Sequence, residues 1–414
     1  MISIVSNISI LAFFKYFDFL IGSFNSILGL AHIKILLPDF DIMLPVGISF
    51  YTFQALSYTI DVYFDKDYKI EKNLARYALF VTFFPQLVAG PIERSKNSLE
   101  QFYERHEFEY ARVRDGLILM MWGLFQKIVI ADRAAILVNQ VYNDISSYSG
   151  FEVVIATVLF AIQIYCDFCG YSDIAIGAAK VMGFRLMTNF KQPYFSKSIK
   201  EFWRRWHISL SSWLRDYIYI PLGGGRCSKI KKYRNIMITF LLSGLWHGAN
   251  WTYVVWGGLH GSFQVIGEVL FPVREKIKCI LNIDSESFGH KIFQILFTFL
   301  LVDSAWIFFR ASSLREAIMI YKQMFSEFNF EIFWNGRLYN LGLTRMDMSL
   351  LFIAIFVLWA VSILRNRVSV LEELSKQHII FRWGVYITLV YSIIFILLIQ
   401  GFGFPSQEFI YFQF

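Results

Sequence analysis

Two histidines, His207 and His247, are the residues of this chain best placed to do chemistry. His207 lies in Phe202-Trp203-Arg204-Arg205-Trp206-His207-Ile208-Ser209-Leu210-Ser211, and His247 in Ser243-Gly244-Leu245-Trp246-His247-Gly248-Ala249-Asn250-Trp251. Both stretches are aromatic and helix-forming. Imidazole exchanges its proton near neutrality, so the chemistry on offer is general acid–base transfer. Burial disfavours the charged ring and keeps it a proton acceptor. An ionisable group at membrane depth is also costly, which makes it a functional candidate. Only seven histidines occur in 414 residues, and these two fall in its most patterned part.

The elements that must position them are membrane helices. The chain is 56% hydrophobic, 19% aromatic and only 17% charged, where a soluble domain carries about a quarter charged residues. Apolar stretches near 42–63, 74–92, 112–131, 151–181, 235–255, 256–272, 291–309, 348–364 and 382–402 approach the length that spans a bilayer. The first thirty residues add another, interrupted by Lys15 and Asp18. That start has no basic region and no small-residue cleavage site, so it reads as a first membrane helix rather than a secretory signal. No repeat or linker divides the chain, and 1–414 reads as one all-α, polytopic membrane domain. The most polar interval, 310–347, is aromatic enough to lie against the membrane surface.

The net charge of +7 sits in short loops between spans, the pattern of cytoplasmic loops facing anionic lipid rather than of a nucleic-acid partner. Arg226, Lys229, Lys231, Lys232 and Arg234 form the densest basic loop, and Arg274, Lys276 and Lys278 a second. A hairpin between them puts both on the cytoplasmic side. The Arg365–Arg367 neighbourhood is cytoplasmic by the same count, which leaves the C-terminus outside. His247, twelve residues past Asn235, is then about 18 Å along a helix, near the middle of a core about 30 Å thick. Gly244 and Gly248 flank it at helical spacing and let another helix or a substrate approach. The plainer alternative is an imidazole hydrogen-bonded to a neighbouring helix. His207 belongs to a helix expected from Ser198 to about Ile218, with Trp203, His207, Leu210 and Leu214 on one face. Arg204, Arg205 and Arg215 make that segment too charged to span, so it is expected in or dipping into the cytoplasmic surface. Its plainer alternative is a surface anchor whose histidine is incidental.

Other polar marks are read as structural first. Asp167 and Tyr171 share a helix face and Asp173 points elsewhere, and buried carboxylates of this kind fasten helices at least as readily as they catalyse. Cys166 and Cys169 lack the further ligands a zinc site needs, so no metal is expected and two buried thiols are. Pro85, Gly90 and Pro91 suggest a broken or re-entrant helix, and Pro45-Val46-Gly47 opens the preceding span similarly. Pro221-Leu222-Gly223-Gly224-Gly225-Arg226 is a turn, or a place where backbone approaches a phosphorylated donor.

Six stretches together resemble the membrane-bound O-acyltransferase (MBOAT) family, in the branch of bacterial membrane subunits that O-acetylate alginate or peptidoglycan. They are PVGISFYTFQALSYTIDVY (45–63), FFPQLVAGPIER (83–94), YCDFCGYSDIAIG (165–177), EFWRRWHISLSSWLRDYIYIPLGGGR (201–226), SGLWHGANWTYVVWGGLHG (243–261) and FIYFQF (409–414). The teichoic-acid D-alanylation subunit is a more distant relative. The resemblance implies a ring of about nine to ten transmembrane or re-entrant helices around a central funnel, with amphipathic interfacial helices beside it. It also implies one or two helices ahead of Phe13-Phe14-Lys15-Tyr16 that this chain does not carry. By the same resemblance His247 is the catalytic histidine and His207 a second functional one; the chemistry of attack on a thioester makes His247 the expected general base, with His207 orienting the donor or assisting proton transfer. Arg204, Arg205 and Arg226 are placed to attract donor phosphates, and positive-inside anchoring explains them as well. The implied donor is acetyl-CoA or another acyl thioester, with no permanently bound cofactor. The implied partners are membrane lipid, an extracytoplasmic SGNH-type acyltransferase and a polysaccharide acceptor, at the bacterial cytoplasmic (inner) membrane. D-alanyl transfer is the alternative within the class, and a non-catalytic channel or scaffold the alternative outside it.

Overall fold

The computed structural model describes residues 2–32, 38, 40, 42, 45–88, 90–400 and 407–410. Among them every regular element is helical. The chain runs through Ile2–Leu30 (α1, with a π-helical turn at Ala12–Tyr16), Ile48–Phe64 (α2), Leu74–Thr82 (α3) and Tyr110–Leu124 (α4). A π-helical turn, Phe125–Ala131, joins α4 to Asp132–Tyr142 (α5). Phe151–Met182 (α6), Ile199–Arg205 (α7), Ile208–Leu214 (α8), Lys229–His247 (α9) and Trp251–Val269 (α10) follow. Phe271–Ile280 (α11), Phe288–Arg310 (α12), Leu314–Met324 (α13), Arg345–Arg365 (α14), Val370–Lys376 (α15) and Ile379–Gln400 (α16) complete the order.

By length and composition α1, α6, α12, α14 and the Ile379–Leu398 part of α16 can cross a membrane. This is a membrane protein, and its apolar exterior fits that solvent: Phe352, Ile353, Phe356, Ile380 and Leu398 are all exposed. The stretch expected at 74–92 holds only the nine-residue α3, about 13 Å long and too short to span. Turns follow it through Pro85–Val88, so the prolines break the helix as anticipated; Ala89 lies outside the described residues. Residues 411–414 of the terminal stretch, like 43, 44, 401 and 402 of two expected spans, also lie outside them. The 310–347 interval folds into α13 and two short 3-10 turns, whose Phe328, Phe330 and Phe333 pack around Phe151 while Trp334 stays exposed.

Glycines set the tightest packing. A Cβ on Gly123 of α4 would stand 2.5 Å from the Gly170 carbonyl oxygen of α6, and one on Gly177 only 2.6 Å from that of Gly116. Two glycine pairs seven residues apart therefore let α4 and α6 run backbone against backbone. The α9–α10 hairpin uses the same device: a Cβ on Gly244 would meet the Tyr253 carbonyl at 2.2 Å, and one on Gly257 the Phe240 carbonyl at 2.2 Å. Lys232 and Glu268 close its open end with an ion pair of 2.5 Å.

The acids of α6 are fasteners. Asp167 pairs with Lys127 at 2.6 Å and Asp173 accepts from Gln126 at 2.9 Å, with Arg365 at 3.7 Å. Asp167 also accepts the Ile410 backbone N–H at 2.7 Å, while Lys127 donates to the Gln407 carbonyl at 3.1 Å, so one buried pair anchors the end of the chain against α6. Cys166 and Cys169 are free, buried thiols on the same helix.

Candidate active site

The helix expected over Ser198–Ile218 is broken at His207. Helix α7 ends at Arg205, Trp206 is extended, and His207 adopts φ +43°, ψ +55° before α8 begins. A left-handed conformation in a non-glycine residue costs about 1–3 kcal/mol and persists only where surroundings over-determine it. They do here. The Ile208 N–H donates to the Asn189 carbonyl at 2.9 Å, and the Lys191 N–H to the Arg205 carbonyl at 2.9 Å, stitching the corner to the coil segment beside it. The break removes the shared face: Trp203 donates instead from Nε1 to His260 Nδ1 at 3.2 Å. His207 is fully buried rather than lying at a surface.

Asn189 organises the His207 ring. Its Nδ2 donates to Ser172 Oγ at 3.2 Å, which turns Oδ1 toward His207 Nδ1 at 3.0 Å and Ser209 Oγ at 3.0 Å. An amide oxygen only accepts, so Nδ1 carries the proton and Nε2 the lone pair. That tautomer is the one a proton acceptor at Nε2 requires. Phe168 packs edge-on against the ring at 4.7 Å.

His247 is the last residue of α9, at the tip of the hairpin rather than within a longer span. Gly248 leaves the helix in extended backbone, and Asn250 caps α10 by accepting from the Thr252 N–H at 3.0 Å. Gly248 is thus a terminator; a Cβ there would strike the Tyr253 ring at 2.1 Å. The His247 ring is buried among Trp246, Trp256 and Phe309, with centroids at 5.0, 5.0 and 5.4 Å. The two imidazoles stand side by side, 6.3 Å between centroids. One small reacting group can reach both from that distance.

The three arginines are not drawn together there. Arg205 pairs with Glu201 at 2.6 Å, Arg204 and Arg226 are exposed, and among the described residues neither of these two forms an ion pair. The Gly223–Gly225 turn is pinned by Asn235, whose Nδ2 donates to the Leu222 and Gly224 carbonyls at 3.0 and 3.3 Å, so it is a built turn. Two residues of the constellation escape sequence reasoning. Asn189 lies in a short coil eighteen positions before its histidine, and His260 is a third buried imidazole whose glycine-rich setting, Gly257-Gly258-Leu259-His260-Gly261, is its one local signal.

The model of the MBOAT, membrane-bound O-acyltransferase family, matches residues 57–283, more than half the chain and both histidines. A probable alginate O-acetylase of Pseudomonas putida is 40% identical over 353 residues, 85% of this chain and 69% of that protein. A peptidoglycan O-acetyltransferase of Helicobacter pylori is 35% identical over 78% of this chain and 64% of its own length. A teichoic acid D-alanyltransferase of Bacillus subtilis is 28% identical over 54% of this chain and 58% of its own. The chain spans roughly two thirds of the first two relatives. With these matches and the paired histidines, the chain belongs to the membrane-bound O-acyltransferase family.

Proposed function

We propose that this protein moves an acyl group, acetyl above all, from a cytoplasmic thioester donor across the membrane for O-acetylation of an envelope or extracellular polysaccharide. The observation that carries it is the pair of buried imidazoles 6.3 Å apart, in a chain whose higher-identity relatives are named for acetylating alginate or peptidoglycan. The relatives named for D-alanyl transfer are of lower identity and support that reading less.

In this reading the acceptor hydroxyl gives its proton to His247 as its oxygen attacks the thioester carbonyl carbon. The tetrahedral intermediate then collapses, the carbon–sulfur bond breaks, and the proton passes to the departing thiolate. His207, held with its proton on Nδ1 by Asn189, orients the donor or assists that transfer. Exclusion of water by the surrounding tryptophans protects the thioester from hydrolysis. Acetyl-CoA, or another acyl thioester, is the donor, and the exposed Arg204 and Arg226 with Arg205 attract its phosphates at the cytoplasmic mouth.

The surrounding architecture of the proposal is a multi-pass domain over 1–414 in the bacterial cytoplasmic membrane. About nine to ten helices ring a funnel, membrane lipid surrounds them, and an extracytoplasmic SGNH-type partner hands the acyl group to the polysaccharide. The test is to release ester-bound groups with mild base from envelope polysaccharides of cells with and without the gene. Acetate dependent on the gene supports the proposal. D-alanine in its place moves the protein to the other branch, and no gene-dependent ester overturns acyl export altogether.

A further inference from the structure

The π-helical turn of α1 aims two consecutive polar side chains at the end of the helix that carries His247. Lys15 Nζ donates to the Trp246 carbonyl at 2.6 Å, to Ser49 Oγ at 3.0 Å and to the His247 carbonyl at 3.4 Å. Tyr16 donates its hydroxyl to the Leu245 carbonyl at 2.8 Å. The last carbonyls of a helix have no partner within it and carry the negative end of its dipole. Three such carbonyls in a row, 245 to 247, are met by one ammonium and one phenol. The ammonium has three N–H groups and finds three oxygens. It also sits 5.8 Å from the centroid of the Trp246 ring, which itself packs on His247.

A cation on a membrane helix is costly unless it does something. Its neighbours here are polar atoms of the α9 terminus and of α2, so the charge is spent on the backbone of a single turn. π-turns recur inside helices at functional sites because they re-aim side chains. Gly248 breaks α9 immediately after the histidine, leaving that turn without helical continuation. Something outside the helix must hold it.

We propose that Lys15, seconded by Tyr16, is a positioning residue for His247: it caps the final turn of α9 and thereby fixes where the imidazole stands. This rests on the reading of His247 as the catalytic base. The residue touches no reacting atom and acts through the carbonyls it binds.

The experiment compares wild type, Lys15→Met, Lys15→Arg, Tyr16→Phe and His247→Ala in cells at matched membrane levels. It measures base-released acetate from envelope polysaccharide, with thermal midpoints of the purified full chain in detergent. Lys15→Met is expected to lose about tenfold or more of the ester while its midpoint stays near wild type. Lys15→Arg restores a cationic donor and is expected to recover activity to within about threefold. Tyr16→Phe, which removes one hydrogen bond and nothing else, is expected to lose roughly two- to fivefold. Full activity in Lys15→Met, or a loss that Lys15→Arg does not relieve, overturns the proposal. Should Lys15→Met fail to fold, Tyr16→Phe decides, and wild-type ester in that strain refutes the cap. Wild-type ester in His247→Ala would instead sink the catalytic reading beneath it.

Discussion

Asn189→Leu is the substitution that tests the site's internal logic most sharply. The amide holds three buried partners at once: His207 Nδ1 at 3.0 Å, Ser209 Oγ at 3.0 Å and Ser172 Oγ at 3.2 Å. Leucine keeps the volume and removes every bond. At about 1 kcal/mol net for each, the fold loses about 3 kcal/mol, because all three groups are left in a dry interior. The catalytic effect is separate. The ring loses the acceptor that keeps the proton on Nδ1, and an unmet buried donor costs about 1–3 kcal/mol, so activity per folded molecule should fall roughly 5- to 150-fold. Ester-bound acetate, normalised to protein surviving in the membrane and eluting as a single species in detergent, separates the two losses. Ser209→Ala removes one of the three bonds and, of the contacts to the imidazole, only the long one of 3.5 Å from Ser209 Oγ to His207 Nδ1, so its activity should stay within about threefold of wild type. An Asn189→Leu protein that is present, folded and fully active would refute the argument that this contact sets the state of His207.

Two further outcomes follow from packing and charge. Gly123→Ala puts a Cβ where 2.5 Å separates it from the Gly170 carbonyl, so α4 and α6 must part at a cost of about 1–3 kcal/mol, visible as a lower thermal midpoint and rescued by nothing on the surface. Glu93 lies in the loop after α3, outside the membrane-spanning helices, beside an open cavity of about 370 Å³ that it shares with Lys96 and Arg185. Burial pushes its carboxyl up to about 7. A carboxyl raised in the fold contributes stability that is present at low pH and lost as pH rises from the ordinary range near 4.5 through about 7. The midpoint of the wild type should therefore fall across that window while that of Glu93→Gln stays flatter. Parallel slopes would contradict it.

Much of the fold is legible because bilayer helices need long apolar runs, and those at 151–181, 291–309 and 348–364 match α6, α12 and α14 closely. Helix ends are another matter. The hairpin turn at Gly248-Ala249-Asn250 carried its own signals, a terminating glycine and a capping asparagine, yet apolar residues on both sides suggested a span running through it. The break at His207 has no local signal at all, since no glycine or proline marks it and tertiary hydrogen bonds from Asn189 impose it. For the same reason the aromatic surroundings of His207 and His247 were visible, whereas their proximity, the tautomer and the Lys15 contact depend on residues 18 to 232 positions away.

The central claim is that His247 takes the acceptor's proton. The most direct measurement is the ester-bound acetate of envelope polysaccharide in cells carrying wild type, His247→Ala or His247→Gln at equal membrane levels, each shown to be folded by its thermal midpoint in detergent. Removing a general base should lower the ester by about 10²–10⁴-fold in both variants while the midpoints hold. Wild-type acetate in either folded variant would contradict the claim and leave the histidine a packing residue of the hairpin tip.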